Sequence, residues 1–170
     1  LSVFTVSCSS TQQAKDTISY QRDWPAAPEQ PRYRFMMTIT SSDDIIPQND
    51  SMLLREMIVG KQASTYQLGR PLDIAARKGM LYLIDADTPL IHVFDLQRRR
   101  YFNFGFRVEG KLGQPVGITV DSEGLVYVAD RERNAVIVYD PIGLYIQQFS
   151  LSGVATQIAG LAVSPDNEYI

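Results

Sequence analysis

Pro115-Val116-Gly117-Ile118-Thr119-Val120-Asp121-Ser122-Glu123-Gly124-Leu125-Val126-Tyr127-Val128-Ala129-Asp130, followed by Asn134-Ala135-Val136-Ile137-Val138-Tyr139-Asp140, is the stretch that decides the fold. An earlier copy runs from Pro71-Leu72-Asp73-Ile74-Ala75 through Met80-Leu81-Tyr82-Leu83-Ile84-Asp85 to Ile91-His92-Val93-Phe94-Asp95. The offset is 44 residues between the prolines and 45 between Asp85 and Asp130. A third copy opens at Gly160-Leu161-Ala162-Val163, 43 residues after Gly117, and reaches only Tyr169-Ile170.

Each full copy reads as four short strands joined by tight turns. The first gives strands near Leu72–Ala76, Met80–Ile84, Leu90–Phe94 and Tyr101–Phe106. The second gives Gly117–Val120, Leu125–Ala129, Ala135–Tyr139 and Tyr145–Phe149. Gly79, Gly124 and Gly143 fall in the turns, where glycine accepts the positive φ that hairpins need. Leu125–Ala129 and Ala135–Tyr139 are almost continuously apolar, whereas a half-exposed sheet would alternate. Both faces of each sheet must therefore be covered. Repeats of this period and strand content predict propeller blades, each sandwiched between neighbours. The expected fold is all-β: an incomplete β-propeller arc of about two and a half four-stranded blades, with units near 68–110, 111–153 and 154–170, the last unfinished. The chain reads as a fragment of a larger ring.

Upstream, Tyr33–Thr40 reads as a strand from its aromatic and β-branched content. Met52, Leu53, Met57 and Ile58 recur at helical spacing, with Ser51 or Asp50 as the N-cap and Gly60 just past the end, which predicts one short helix over about 51–58. The net charge of −3 leaves no basic footprint for nucleic acid. Arg98-Arg99-Arg100 reads as a solvated turn. The one histidine, His92, lies in an apolar strand with no second His or Cys to share a zinc ion, so it reads as structural. Asp85, Asp130, Asp95 and Asp140 end strands at repeated positions, where aspartate accepts hydrogen bonds from turn amides, and Asn134 reads as a turn residue. No catalytic, cofactor-binding or metal-ligating residue is nominated, and no cofactor is expected.

The N-terminal Leu1-Ser2-Val3-Phe4-Thr5-Val6-Ser7-Cys8 resembles the end of a bacterial signal segment with a lipobox. That resemblance makes Cys8 the candidate lipidation site. The single cysteine has no partner for an internal disulfide. Residues 9–32 read as a tether: a polar run, then Asp23-Trp24-Pro25-Ala26-Ala27-Pro28-Glu29-Gln30-Pro31-Arg32, whose prolines favour extended chain. A lipidated Cys8 implies membrane attachment through acyl chains, on the periplasmic or extracellular side of a bacterial envelope.

The second unit resembles an NHL repeat at nearly every position. The first is a weaker copy, with Asp73 at the usual glycine and Arg77 at the usual aspartate. The whole chain is similar to bacterial six-bladed NHL propeller proteins, many of them exported. Pro71, Asp85, Pro115, Gly117, Gly124, Asp130, Asn134 and Gly160 are the repeat positions that this resemblance marks as structural. It implies that Tyr33–Ile39 is a closing strand for the last blade. It implies a non-enzymatic binding or scaffold module that takes a protein or small-molecule ligand on one propeller face. The alternative is a six-bladed propeller enzyme of metal-dependent lactonase or lyase type, for which Asp73 is the nearest candidate ligand. An open arc leaves apolar faces bare, at ~1.5–3 kcal/mol for each large side chain. The chain alone is accordingly expected to associate or aggregate.

Overall fold

Ala135–Tyr139 presents five apolar side chains in succession, and in a strand these point alternately to opposite faces. All five are buried in the computed structural model, which describes residues 23–26, 28–46, 65–153, 157–164, 166 and 167. The chain divides into two compact units, Leu1–Thr38 and Ile39–Ile170. In the first, β1 (Asp23–Trp24) pairs antiparallel with β2 (Tyr33–Arg34). Arg34 Nε donates to Asp23 Oδ1 at 2.8 Å, and the Trp24 and Tyr33 rings lie 5.9 Å apart. The strand expected over Tyr33–Thr40 is thus confined to its first two residues. Residues 35–38 are exposed and have no sheet neighbour among the described residues.

The described residues of the second unit form two four-stranded antiparallel blades. Blade one is β3 (Pro71–Arg77), β4 (Met80–Asp85), β5 (Ile91–Asp95) and β6 (Arg100–Phe104), in that spatial order. Blade two is β7 (Pro115–Val120), β8 (Val126–Asp130), β9 (Ala135–Tyr139) and β10 (Tyr145–Ser150), likewise in sequence order. This is an incomplete propeller: successive blades are sequential meanders, and their first strands, β3 and β7, lie side by side. β6 ends two residues earlier than the sequence predicts, because Gly105 turns the chain at φ +98°. The helix expected over 51–58 lies outside the described residues.

Side-chain alternation builds the interface between the blades. Tyr82, Ile84, Ile91 and Val93 of blade one meet Ile118, Val126, Val128, Ile137 and Tyr139 of blade two, with Phe104 and Leu112 closing the outer side. Each large apolar side chain withdrawn from water here contributes roughly 1.5–3 kcal/mol before ordering entropy is subtracted. Polar links follow the same seam. Asp73 Oδ2 accepts from the Ile118 amide at 2.9 Å, and Tyr82 Oη donates to the Pro141 carbonyl at 3.0 Å.

Blade two's other face is covered by the opening of the third unit. Ile158 packs on Ala129 and Val136, joined by Leu161 and Leu151. Residues 157–164 carry no strand hydrogen bonding but lie in backbone contact with β7: a Cβ added at Gly117 would stand 2.9 Å from Gly160 Cα. Blade one's other face is covered differently. Ser41 and Gln67 form an antiparallel bridge, and a 3-10 turn at Ser42–Asp44 buries Ser42, followed by the buried Ile45. From this pair of segments Tyr66 lays its ring on His92. Leu72 and Ile74 of β3 remain more than half exposed.

Candidate interaction face

Antiparallel order places the starts of β3 and β7 at one end of the blades, with the β4–β5 turn (86–90) and the β8–β9 turn (131–134). The same construction fixes this end in both blades. Asp85 closes β4, and its carboxylate accepts from the amides of Gly69 (2.7 Å), Arg70 (3.0 Å) and Asp87 (3.0 Å) and from Tyr66 Oη (2.7 Å). Asp130 closes β8 and accepts from the amides of Gly113 (2.6 Å), Gln114 (3.2 Å) and Arg133 (3.1 Å). Each aspartate ties the loop entering the first strand to the turn leaving the second. Burial works to raise the Asp85 carboxyl, but the three amides and the tyrosine hydroxyl outweigh it and hold the group well below the usual carboxylate range. Pro71 and Pro115 begin the first strands, opposite Asp85 and Asp130. Asn134 completes the β8–β9 turn at φ +47°.

The opposite end uses aspartates in the same way. Asp95 accepts from the Arg98 amide at 2.9 Å, and Asp140 from the amides of Ile142 (3.0 Å) and Leu144 (2.8 Å). Asp121 accepts from Glu123, Gly124 and Leu125, in a turn where Gly124 has φ +102°. Among the described residues no group of three or more His, Cys, Asp and Glu side chains could hold a metal ion. Asp73, the nearest candidate ligand under the enzyme alternative, has both oxygens engaged: Oδ1 by its neighbouring Ile74 amide at 2.9 Å, Oδ2 by Ile118 of blade two. Cys8 lies outside the described residues.

His92 is wholly buried, with Nδ1 2.7 Å from Tyr101 Oη and Nε2 2.8 Å from Thr88 Oγ1. The Tyr66 ring stacks on it at 3.8 Å and 11°. Burial lowers its pKa to about 4, so the imidazole is neutral at pH 7. Burial, and the hydrogen bond to Asp85, push the Tyr66 phenol upward. This cluster is a polar plug for a blade face.

Two clefts among the described residues bear on the seam between the blades. The larger, about 580 Å³, is framed by Phe104, Phe106, Val108, Ile142, Leu144 and Tyr145 on the outer side of the seam. The smaller, about 340 Å³, lies at the loop-rich end between the starts of β3 and β7, framed by Arg70, Leu72, Thr88, Gln114, Val116 and Arg131 among others. Arg70 Nε donates to Asp87 Oδ1 at 2.8 Å, and Arg131 Nε to the Ile158 carbonyl at 3.4 Å. The sequence reading passed over Arg70, Gln114 and Arg131. The signal was present, since Arg70 and Gln114 immediately precede the two repeat prolines.

Residues 112–139 match the NHL repeat model, a span that covers β7, β8 and β9. A 37-residue stretch is 49% identical to the E3 ubiquitin-protein ligase TRIM71 of Mus musculus, and equally to that of Rattus norvegicus. It covers 22% of this chain and 4% of each ligase, so the chain spans a small part of the curated relatives it matches. Among solved structures, a luciferin-regenerating enzyme aligns with 60% of this chain and 37% of its own, at 17% identity and a TM-score of 0.47. Hydrazine synthase of Kuenenia stuttgartiensis aligns with 64% of this chain and 30% of its own, at 20% identity and a TM-score of 0.48.

Proposed function

We propose that this chain is part of a non-enzymatic interaction module that holds a partner protein at the loop-rich end of its blades. One observation carries the reading: five strand-end carboxylates, Asp85, Asp95, Asp121, Asp130 and Asp140, accept hydrogen bonds from their own turns. The residues with chemistry to catalyse are used to hold the turns, while the loop side chains beside the smaller cleft face solvent. The NHL repeat in blade two supports the same reading, because that repeat builds propellers and a propeller gathers loops from every blade on one face. The six-bladed count belongs to this proposal, as does anchoring at a bacterial envelope through Cys8. The sequence Ser7-Cys8 and the polar residues after it support the anchor.

Photo-crosslinking in intact cells tests the face. A photoreactive residue at Gln114 should give a defined protein adduct, and one at Gln97, at the opposite end, should not. Ala159→Trp, which fills the smaller cleft, should remove the adduct without moving the melting temperature. Equal adducts from both ends, or none from Gln114, would reject the face. The anchor has its own test: Cys8→Ser should move the protein from membrane to soluble fraction, and identical fractionation would remove it from the proposal.

A further inference from the structure

The smaller cleft holds hydrogen-bond donors that the protein itself leaves unused. The Arg70 guanidinium uses Nε on Asp87, and the Arg131 guanidinium uses Nε on the Ile158 carbonyl. Their terminal nitrogens, and the Gln114 carboxamide, make no protein hydrogen bond among the described residues. Of the side-chain acceptors lining the cleft, both Asp85 oxygens are saturated by amides and Tyr66, Thr88 Oγ1 meets His92, and Asp87 Oδ1 meets Arg70, while Asp87 Oδ2 accepts no hydrogen bond among the described residues. The charged residues that line the cleft are two cations, Arg70 and Arg131, and two carboxylates, Asp85 and Asp87. Asp85 is buried with both oxygens bonded and Asp87 is paired with Arg70, which leaves the terminal nitrogens of the two guanidinium groups as the unengaged charge of the lining. Leu72, Pro89, Pro115 and Val116 give the cleft an aliphatic wall.

We propose that this cleft binds an acidic segment of the partner protein, with Glu or Asp carboxylates taken by Arg70 and Arg131 and an intervening aliphatic side chain on Leu72 and Val116. The inference rests on the reading of this end as the interaction face. Guanidinium forks match carboxylates in plane and in spacing, and a charge-assisted pair is about twice as strong as a neutral one. A space of about 340 Å³ admits side chains rather than a folded surface. The lining holds no aromatic ring, whereas single-stranded nucleic acid binds by stacking its bases on aromatic side chains. Two guanidinium groups are also too few to follow a phosphate backbone.

The test is fluorescence anisotropy on the full chain with a labelled twelve-residue peptide. The peptide carries two Glu-Leu-Glu motifs in a Gly-Ser background, and the control replaces Glu by Gln. The Glu peptide should bind about tenfold tighter than the Gln peptide, as expected when charge-assisted bonds replace neutral ones. Arg70→Gln and Arg131→Gln should each weaken it several-fold, and together they should erase the preference. Arg131→Lys, which keeps the charge and loses the fork, should fall between. Arg99→Gln, at the opposite end, should leave binding unchanged. A missing Glu preference, an equal loss from Arg99→Gln, or tighter binding of a single-stranded RNA dodecamer would overturn the inference. Should Arg131→Gln unfold the chain, Arg70→Gln alone still decides. If the arginine variants leave the Gln114 adduct intact while Ala159→Trp removes it, the acidic ligand is wrong and the face stands.

Discussion

Blade one and blade two follow one template but solve its inner-strand positions differently. Asp73 pairs with Ile84 as Gly117 pairs with Ala129, so Asp73 stands where blade two has glycine. At Gly117 the missing side chain lets the third unit approach to backbone contact. At Asp73 the carboxylate fills that space and accepts the Ile118 amide across the seam. Four residues on, Arg77 stands where blade two has Asp121. Asp121 is buried and organises its own five-residue turn. Blade one makes the same turn with two residues, Lys78 and Gly79, so no such aspartate is needed and the Arg77 guanidinium reaches the Ser122 carbonyl of the neighbour. The repeat therefore constrains contacts rather than residues: each departure in blade one is answered by a bond to blade two.

The largest test removes the asymmetry at the seam. Ile84, fully buried between the blades, corresponds to Ala129 of blade two. Ile84→Ala would give blade one the lighter interface, and deleting a buried aliphatic side chain costs ~2–5 kcal/mol. Urea unfolding should show that loss with an unchanged slope. A loss below about 1 kcal/mol would mean that the two blades do not unfold together.

A second difference is titratable. His92 occupies the position of Ile137, which in blade two faces blade one; in blade one the same position faces Tyr66 instead. The histidine pKa falls from 6.5 to about 4 on folding. The unfolded chain therefore binds the proton first. Stability is intact above pH 6.5, declines as pH falls through the interval to 4, and is then level for this group. The full loss is about 3 kcal/mol, from the 1.36 kcal/mol that each pKa unit represents. His92→Phe keeps a ring against Tyr66 and should flatten the slope between pH 6.5 and 4, whatever it does to stability at pH 7. A slope that persists in His92→Phe would assign it to other groups.

The periodic strands were legible because their physics is local. The repeat spacing and turn glycines placed eight strands to within two residues or so, and apolar runs announced that both blade faces are covered. What the sequence did not reveal lies between segments far apart in the chain. Tyr66 meets Asp85 and His92 across 19 and 26 residues of sequence, and nothing in its own neighbourhood marks it as a cover for a blade face. The cleft is of the same kind. Arg70 and Arg131 are ordinary loop residues until the two blades pack, and only packing shows which donors are left free. Tyr33–Thr40 failed for the opposite reason: its composition favours a strand, but a strand also requires a neighbour.

The smallest effect probes the turn that sets the blades apart. Lys78 at φ +45° and Gly79 at φ +76° form a two-residue hairpin turn with both residues left-handed. A side chain at the first of these positions is strained unless it is asparagine or aspartate, which bond locally to the backbone. Gly79 cannot relieve the strain by changing, since an added Cβ would stand 2.7 Å from Gln97 Cγ. Lys78→Asn should therefore stabilise the chain by about 0.5 kcal/mol, or about 1–2 °C in melting temperature for a chain of this size. The corresponding loop in blade two gains nothing from such a change, because Asp121 already supplies the local bonds. If Lys78→Asn lowers the melting temperature instead, the lysine is contributing through its own side chain, and the short turn is not the reason that blade one dispenses with its aspartate.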